Sequence, residues 1–312
     1  MARRGRIAYV RGVNTAVLLF DGVQIIDYTG PWEAFGRRGG VYGVSEHGQP
    51  ITTTMGMQVV PNHSFADAPP ADVLVVPGGG NSGEPGRTPF GVGAQLAIPA
   101  VIDWIRATAE RAPMVLSVCN GAFLIQKVGL LDGKAATTTA GYLGYLASIA
   151  PTTRVIPDRV VDNGKVVTAG GLSSGIDGAL RVIERLDGHG AAMQVALGME
   201  YDWEPGKQWS RALLADFHIP GGLYAPFAAD AQIVDMRSDL HSAEEIYRVQ
   251  ATSTPDAMVA AIDATWAGLG WDRIGTGRGR GTGADGRTWE LESTVAPDGA
   301  GAMLVTLRIN AA

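Results

Sequence analysis

The chain has 312 residues, 46% hydrophobic and 18% charged, the composition of a packed globular protein and not of a disordered one. That length suits two domains or one large one. Its 25 Lys and Arg against 31 Asp and Glu leave a net charge of −6, which argues against the basic surface of a nucleic-acid binder. A single cysteine excludes an internal disulfide and a multi-cysteine zinc site.

Residues 1–12 read as a loose basic leader. The apolar run after them is too short and interrupted for a signal peptide or a membrane span, so a soluble, cytoplasmic protein is expected. Thr15–Phe20 is a continuous apolar run that predicts a strand buried on both faces. Ile25–Gly36 reads as a turn at Gly30-Pro31 followed by helical spacing. Val41–His47 predicts a strand, Ile51–Val60 a hairpin, Pro61–Pro70 a connection holding His63 in a loop, and Asp72–Val76 a second buried strand ending at Pro77-Gly78-Gly79-Gly80. A loop over Gly83–Gly93 leads to a helix over Ala94–Arg111. Pro113–Val118 is a third buried strand that runs directly into Cys119-Asn120-Gly121.

Helices are predicted over Ala122–Leu131, Tyr142–Ile149, Ser174–Asp187 and Ala191–Met199. A strand pair turns at Asp162-Asn163-Gly164. Buried strands alternating with amphipathic helices predict an open, mostly parallel α/β sheet with helices on both faces, of the flavodoxin-like kind, over residues 13–203. Periodicity weakens over 204–241, read as a connecting segment. Residues 242–312 then read β-α-β-β-β, a small α+β domain whose helix starts at Thr254-Pro255. Its strands fall near Glu245–Thr252, Trp271–Ile274, Thr288–Val295 and Met303–Ile309.

The chemistry concentrates at Cys119. A residue at a strand-to-helix elbow sits at the carboxyl end of a buried strand, where open α/β sheets bind ligands. It also sits at a helix N-terminus, which favours a thiolate and predicts a lowered pKa and an opening to a crevice. The alternative is a small buried hydrophobe. Pro77-Gly78-Gly79-Gly80 ends another buried strand at the same edge and offers backbone N–H groups as an oxyanion hole, or is a plain turn. Asp27, within an apolar stretch, is a proton donor kept protonated by burial, or a helix N-cap.

FDGVQIIDYTGPWEAF, DVLVVPGGG, VLSVCNGAFLIQKVGLLDGKAATTTA and VVTAGGLSSGIDGAL, in this order, resemble the ThiJ/PfpI superfamily of the class I glutamine amidotransferase-like fold. The resemblance covers residues 13–203. Its Asp27-Tyr28-Thr29-Gly30-Pro31 segment, its Ala136-Thr137-Thr138 block and Glu200-Tyr201-Asp202 are similar to the isonitrile hydratases. The resemblance implies a nucleophile at Cys119, an acidic partner at Asp27 and oxyanion donors at the amides of Gly79 and Asn120. Gly80 and Ser173 would lie close by as substrate contacts. It implies addition of water to a small-molecule isonitrile to give an N-substituted formamide, a homodimer, and no cofactor or metal. Two positions depart from it: Asn120 stands where those hydratases carry Thr, and Thr139-Ala140 where many relatives carry His and an aromatic residue. Without that histidine a Cys-His pair is not supported. The alternative activities are glyoxalase- or deglycase-like work on 2-oxoaldehydes, or a non-catalytic cysteine sensor of oxidants or electrophiles.

Other features receive plainer readings. Gly275–Gly283 has the glycines of a phosphate loop but no following helix, and reads as a long flexible hairpin loop. Asp72, Asp162 and Asp177 form no metal-ligand spacing with histidines. Trp203 and Trp209 read as interdomain packing, and Ser174 as a helix N-cap. A single helix in the last segment leaves no helix-turn-helix and no nucleic-acid partner.

Overall fold

The structure, a computed structural model, describes residues 12–80, 90–206, 210–250, 253–283, 285–299 and 301–312. The expected leader, Trp209 and most of the Gly83–Gly93 loop lie outside the described residues. Contacts divide the chain into two compact units, Met1–Ser210 and Arg211–Ala312.

The first unit starts with β1 (Thr15–Leu18), α1 (Ile25–Gly36), β2 (Val41–Ser45), the hairpin β3 (Ile51–Thr52) and β4 (Gln58–Val59), β5 (His63–Ser64) and β6 (Val73–Val76). It continues through α2 (Val92–Gln95), α3 (Pro99–Arg111), β7 (Met114–Val118), α4 (Ala122–Lys127), β8 (Ala135–Ala136), α5 (Leu143–Ile149) and β9 (Arg154–Val155). It closes with β10 (Val160–Asp162), β11 (Val166–Ala169), α6 (Ser174–Asp187) and α7 (His189–Gly198). Among the described residues the sheet has seven strands in the order β10-β11-β7-β6-β1-β2-β5. All neighbours are parallel except β10 and β11. β1, β6, β7 and β11 are buried along their whole length, as continuous runs of Val, Leu, Ala and Met require when helices cover both faces. α1 and α6 pack together, and α4 packs with α2 and α3.

Several boundaries differ from those the sequence predicts. α1 runs straight through Gly30-Pro31, with both residues buried. The proline ring forfeits only the bond that would reach back to the Asp27 carbonyl. The helix expected over 94–111 is two helices, because Pro99 takes the N1 position of a new one. α4 stops at Lys127, well short of Leu131, and a turn with Gly129 in the left-handed region follows. His63 lies on the edge strand β5. Trp203 is buried in the first unit's own core and stacks on His189. Ser173, not Ser174, holds the N-cap position of α6, without a side-chain capping bond.

The second unit contains β12 (Gln232–Ser238), β13 (Ser242–Gln250), α8 (Pro255–Asp263), β14 (Asp272–Gly275), β15 (Arg278–Thr282), β16 (Thr288–Pro297) and β17 (Ala302–Ala311). They form an antiparallel sheet in the order β12-β13-β17-β16-β15-β14. Thr254 caps α8 by accepting the Ala257 N–H. Two strands are additions to the expected β-α-β-β-β. β12 falls inside the segment read as a connection, and β15 inside the stretch read as a flexible loop. A Cβ added to Gly279 or Gly281 would come within 2.7 Å of Trp266 or 2.4 Å of Trp271. The glycines there make room for indole rings on a regular strand.

Candidate active site

Cys119 follows β7 directly and sits in a 3-10 turn, Cys119–Gly121, that leads into α4. Its backbone is left-handed, with φ at +56°, a conformation that costs a non-glycine residue and persists only where surroundings enforce it. Two bonds enforce it here. The Cys119 N–H donates to the Gly170 carbonyl at 2.6 Å, and the Cys119 carbonyl accepts from the Thr138 hydroxyl at 2.8 Å. Thr138→Val should leave that carbonyl only the Ala122 N–H and, with one buried hydrogen bond lost, cost about 0.5–1.5 kcal/mol in urea unfolding.

Asp27 stands in the first turn of α1 and is fully buried. α1 reaches this position because α6 lets it come close: a Cβ on Gly175 would lie 3.0 Å from Val118 Cγ1 and 3.5 Å from Pro31 Cδ. Asp27 Oδ2 accepts the Gly78 N–H at 3.2 Å, while Oδ1 is buried without a hydrogen-bonding nitrogen or oxygen opposite it. Burial therefore pushes the Asp27 carboxyl up to about 7, against the opposing pull of the Gly78 N–H and the Cys119 thiol.

The thiol expected to be acidified is instead held well above its ordinary range. Burial is the main cause and the facing Asp27 charge the second; the Asn120 N–H and the Thr139 hydroxyl pull the other way. Six residues of α4 do not offset the loss of water around a side chain that is 8% exposed. Cys119 and Asp27 are thus a coupled pair, in which the first proton is lost from the carboxyl side.

The glycine turn differs from the expected oxyanion hole. Asn120 clamps it: the Gly79 N–H donates to Asn120 Oδ1 at 2.8 Å, and Asn120 Nδ2 returns a bond to the Gly79 carbonyl at 3.4 Å. The Gly79 amide is therefore engaged, and only the Asn120 amide of the expected donors faces Cys119. Gly80, with φ at +57°, is turned against Gly91. The Ser173 hydroxyl accepts from the Arg159 guanidinium at 3.2 Å. Cys119, Asp27 and Asn120 lie together around Gly78, where a Cβ would meet all three, and it is the Gly78 N–H of the expected glycine turn that reaches Asp27. The hydroxyls of Thr138 and Thr139, which reach the Cys119 carbonyl and sulfur, are not among the expected contacts; the run of consecutive threonines is the signal for them.

Among the described residues no group of three His, Cys, Asp or Glu is placed to hold a metal, and no helix is long and apolar enough to cross a membrane. A cavity of about 580 Å³ lined by Gly12, Arg37, Gly39 and Gln194 opens at the other end of the sheet, beside the start of β1.

A strained cysteine ending a central strand of a mostly parallel sheet, faced by a buried carboxyl, defines a cysteine-elbow α/β protein. The DJ-1/PfpI family matches residues 13–185, and the chain belongs to that family. It is 38% identical over 188 residues to an isonitrile hydratase of Pseudomonas putida, covering 59% of this chain and 76% of that protein. The crystal structure of a ThiJ/PfpI family protein from Pseudomonas syringae superposes with a TM-score of 0.56 at 27% identity, covering 66% of this chain and 84% of that one. Drosophila melanogaster DJ-1beta shares the fold, with a TM-score of 0.53 at 21% identity over 62% of this chain and all of that one.

Proposed function

We propose that this protein is a cysteine-dependent isonitrile hydratase, adding water to R–N≡C to release an N-substituted formamide. The observation that carries the reading is the buried Cys119–Asp27 pair, whose carboxyl is pushed up to about 7. The likeness to the Pseudomonas putida hydratase supports it.

Once the pair has lost one proton, transfer of the remaining proton from Sγ to Asp27 gives a thiolate beside a carboxylic acid. The Asn120 N–H and Thr139 hydroxyl favour the charge on sulfur. Asp27 then protonates the terminal carbon of the isonitrile, and Sγ bonds to that same carbon as one C–N π pair becomes the nitrogen lone pair. The product is the thioimidate R–N=CH–S–Cys119, with Asp27 ionised. Asp27 next takes a proton from water while the oxygen bonds to the carbon, and it returns that proton to nitrogen. Collapse of R–NH–CH(OH)–S–Cys119 breaks the C–S bond, sends the hydroxyl proton to Asp27 and expels the thiolate with the formamide. Acyl transfer needs a dedicated oxyanion hole. Here negative charge builds on a nitrogen that Asp27 protonates, which suits a site whose Gly79 N–H is engaged by Asn120.

The test is incubation of the purified protein with cyclohexyl isonitrile, with N-cyclohexylformamide measured by gas chromatography. Stoichiometric formamide beyond one equivalent of enzyme is expected. No formamide, with lactate formed from methylglyoxal instead, would overturn the reading in favour of a 2-oxoaldehyde activity.

A further inference from the structure

Leu172 has a left-handed backbone, with φ at +48°, yet its side chain is 46% exposed. A branched apolar residue gains nothing from that combination: the conformation is costly, and burial does not repay it. The chain on both sides cannot relax. Gly170 donates to the Arg159 carbonyl at 2.9 Å and accepts from the Cys119 N–H, while the Leu172 carbonyl accepts from the Gly175 N–H at 3.2 Å. Beyond it, Arg159 holds the Ser173 hydroxyl. Asp177 holds Arg159 at 2.8 Å and accepts the Tyr201 hydroxyl at 2.9 Å.

The place where Leu172 is held is the border of the candidate site. A Cβ on its neighbour Gly171 would lie 2.3 Å from Thr139 Oγ1, the hydroxyl that acts on the Cys119 sulfur. Across the site, Gly30 and Ile176 mark where α1 meets α6, with 2.9 Å between a Cβ on Gly30 and Ile176 Cγ1. Four residues before Gly30 and Ile176 in the chain stand Ile26, on α1, and Leu172, in the loop that leads into α6, both exposed aliphatics. They flank Asp27 on α1 and the loop that backs Cys119.

We propose that Leu172 is a specificity-determining residue, an apolar wall at the entrance to Cys119 that favours electrophiles carrying an apolar body. The inference rests on the reading of Cys119 as the nucleophile. Leu172→Gly relieves the backbone conformation, and Leu172→Asn tolerates it, so both variants should fold. Both should raise KM for cyclohexyl isonitrile about tenfold, leave its kcat unchanged, and leave KM for methyl isonitrile unchanged. A merely structural role would move both substrates together. An unchanged ratio of the two KM values would overturn the proposal. A second readout is independent of the hydratase reading: alkylation of Cys119, the chain's single cysteine, by N-cyclohexylmaleimide and by N-methylmaleimide, followed by intact mass. Wild type should prefer the cyclohexyl reagent, and both variants should lose that preference. Equal preference in wild type and variants, or no reaction of wild type with either reagent, would overturn the proposal even if no isonitrile is turned over.

Discussion

Cys119→Ala should abolish isonitrile turnover, and Asp27→Asn should lower kcat/KM by about 10³-fold or more while making the protein more stable above pH 7. Without sulfur no thioimidate forms. Without an ionisable group at position 27 the thiol, held up by burial, loses its base and the isonitrile carbon its acid, steps to which a positioned side chain contributes roughly 10²–10⁴-fold. The wild-type rate should rise with pH through about 7, because the doubly protonated pair has no carboxylate to take the thiol's proton and the singly protonated pair has one. Asp27→Asn should lose that limb of the profile along with the rate. A mutant that kept both would remove Asp27 from the mechanism.

The stability half follows from the same raised carboxyl. Its value near 7 in the folded protein stands above 3.8 for an ordinary Asp. Unfolded chains release the proton from about pH 4 upward, while the folded protein keeps it until about pH 7. The stability this neutral carboxyl contributes is therefore complete below pH 4, declines between 4 and 7, and is gone above 7, a total of roughly 4 kcal/mol. Asparagine keeps the acceptor for the Gly78 N–H and carries no such slope. Urea midpoints at pH 4.5 and pH 8 should fall in wild type and change much less in Asp27→Asn. Parallel changes in the two proteins would contradict a buried, proton-holding Asp27.

What the sequence discloses depends on whether a side chain reports its surroundings. β1 and β7 are legible because Thr15–Leu18 and Met114–Val118 are apolar on both faces. The elbow is legible because small residues interrupt such a run. β12 is not, since Ile233, Val234 and Met236 are exposed along an edge strand, which erases the alternation that marks a half-buried strand. In β15 the glycines carry no pattern at all, because the packing there belongs to Trp266 and Trp271. At the site, residue types point to Cys119 and Asp27, and the family resemblance to Asn120. The direction of the thiol's shift depends on how completely the fold removes water, and a helix start in the sequence does not convey that. Nor does it convey that the amide of Gly79 is spent on Asn120, a bond spanning 41 positions.

Gly78→Ala is expected to collapse the site with a single methyl group. A Cβ at Gly78 would lie 2.2 Å from Asn120 Oδ1, 2.8 Å from Cys119 Cβ and 2.9 Å from Asp27 Oδ2. None of the three can yield cheaply. Asn120 is fixed by its two bonds to Gly79, Cys119 by its backbone ties to Gly170 and Thr138, and Asp27 by burial in α1. Gly78 itself is anchored, since its carbonyl accepts the Gln24 N–H at 2.9 Å and its N–H serves Asp27. Relief must come from shifting the turn, which breaks the Asn120 clamp and withdraws the one N–H on the Asp27 carboxyl. Overpacking of this kind costs typically 1–3 kcal/mol, and a displacement of about 1 Å at reacting groups costs about 10²-fold in rate. Gly144→Ala on α5 is the matched control, as a Cβ there meets nothing within 4 Å and alanine favours a helix by about 0.5–1 kcal/mol. Thermal unfolding and kcat measured on both should separate them, with Gly78→Ala losing stability and at least a hundredfold in rate and Gly144→Ala losing neither. Near-normal turnover in Gly78→Ala would mean that Asp27, Cys119 and Asn120 do not converge on this turn during the reaction.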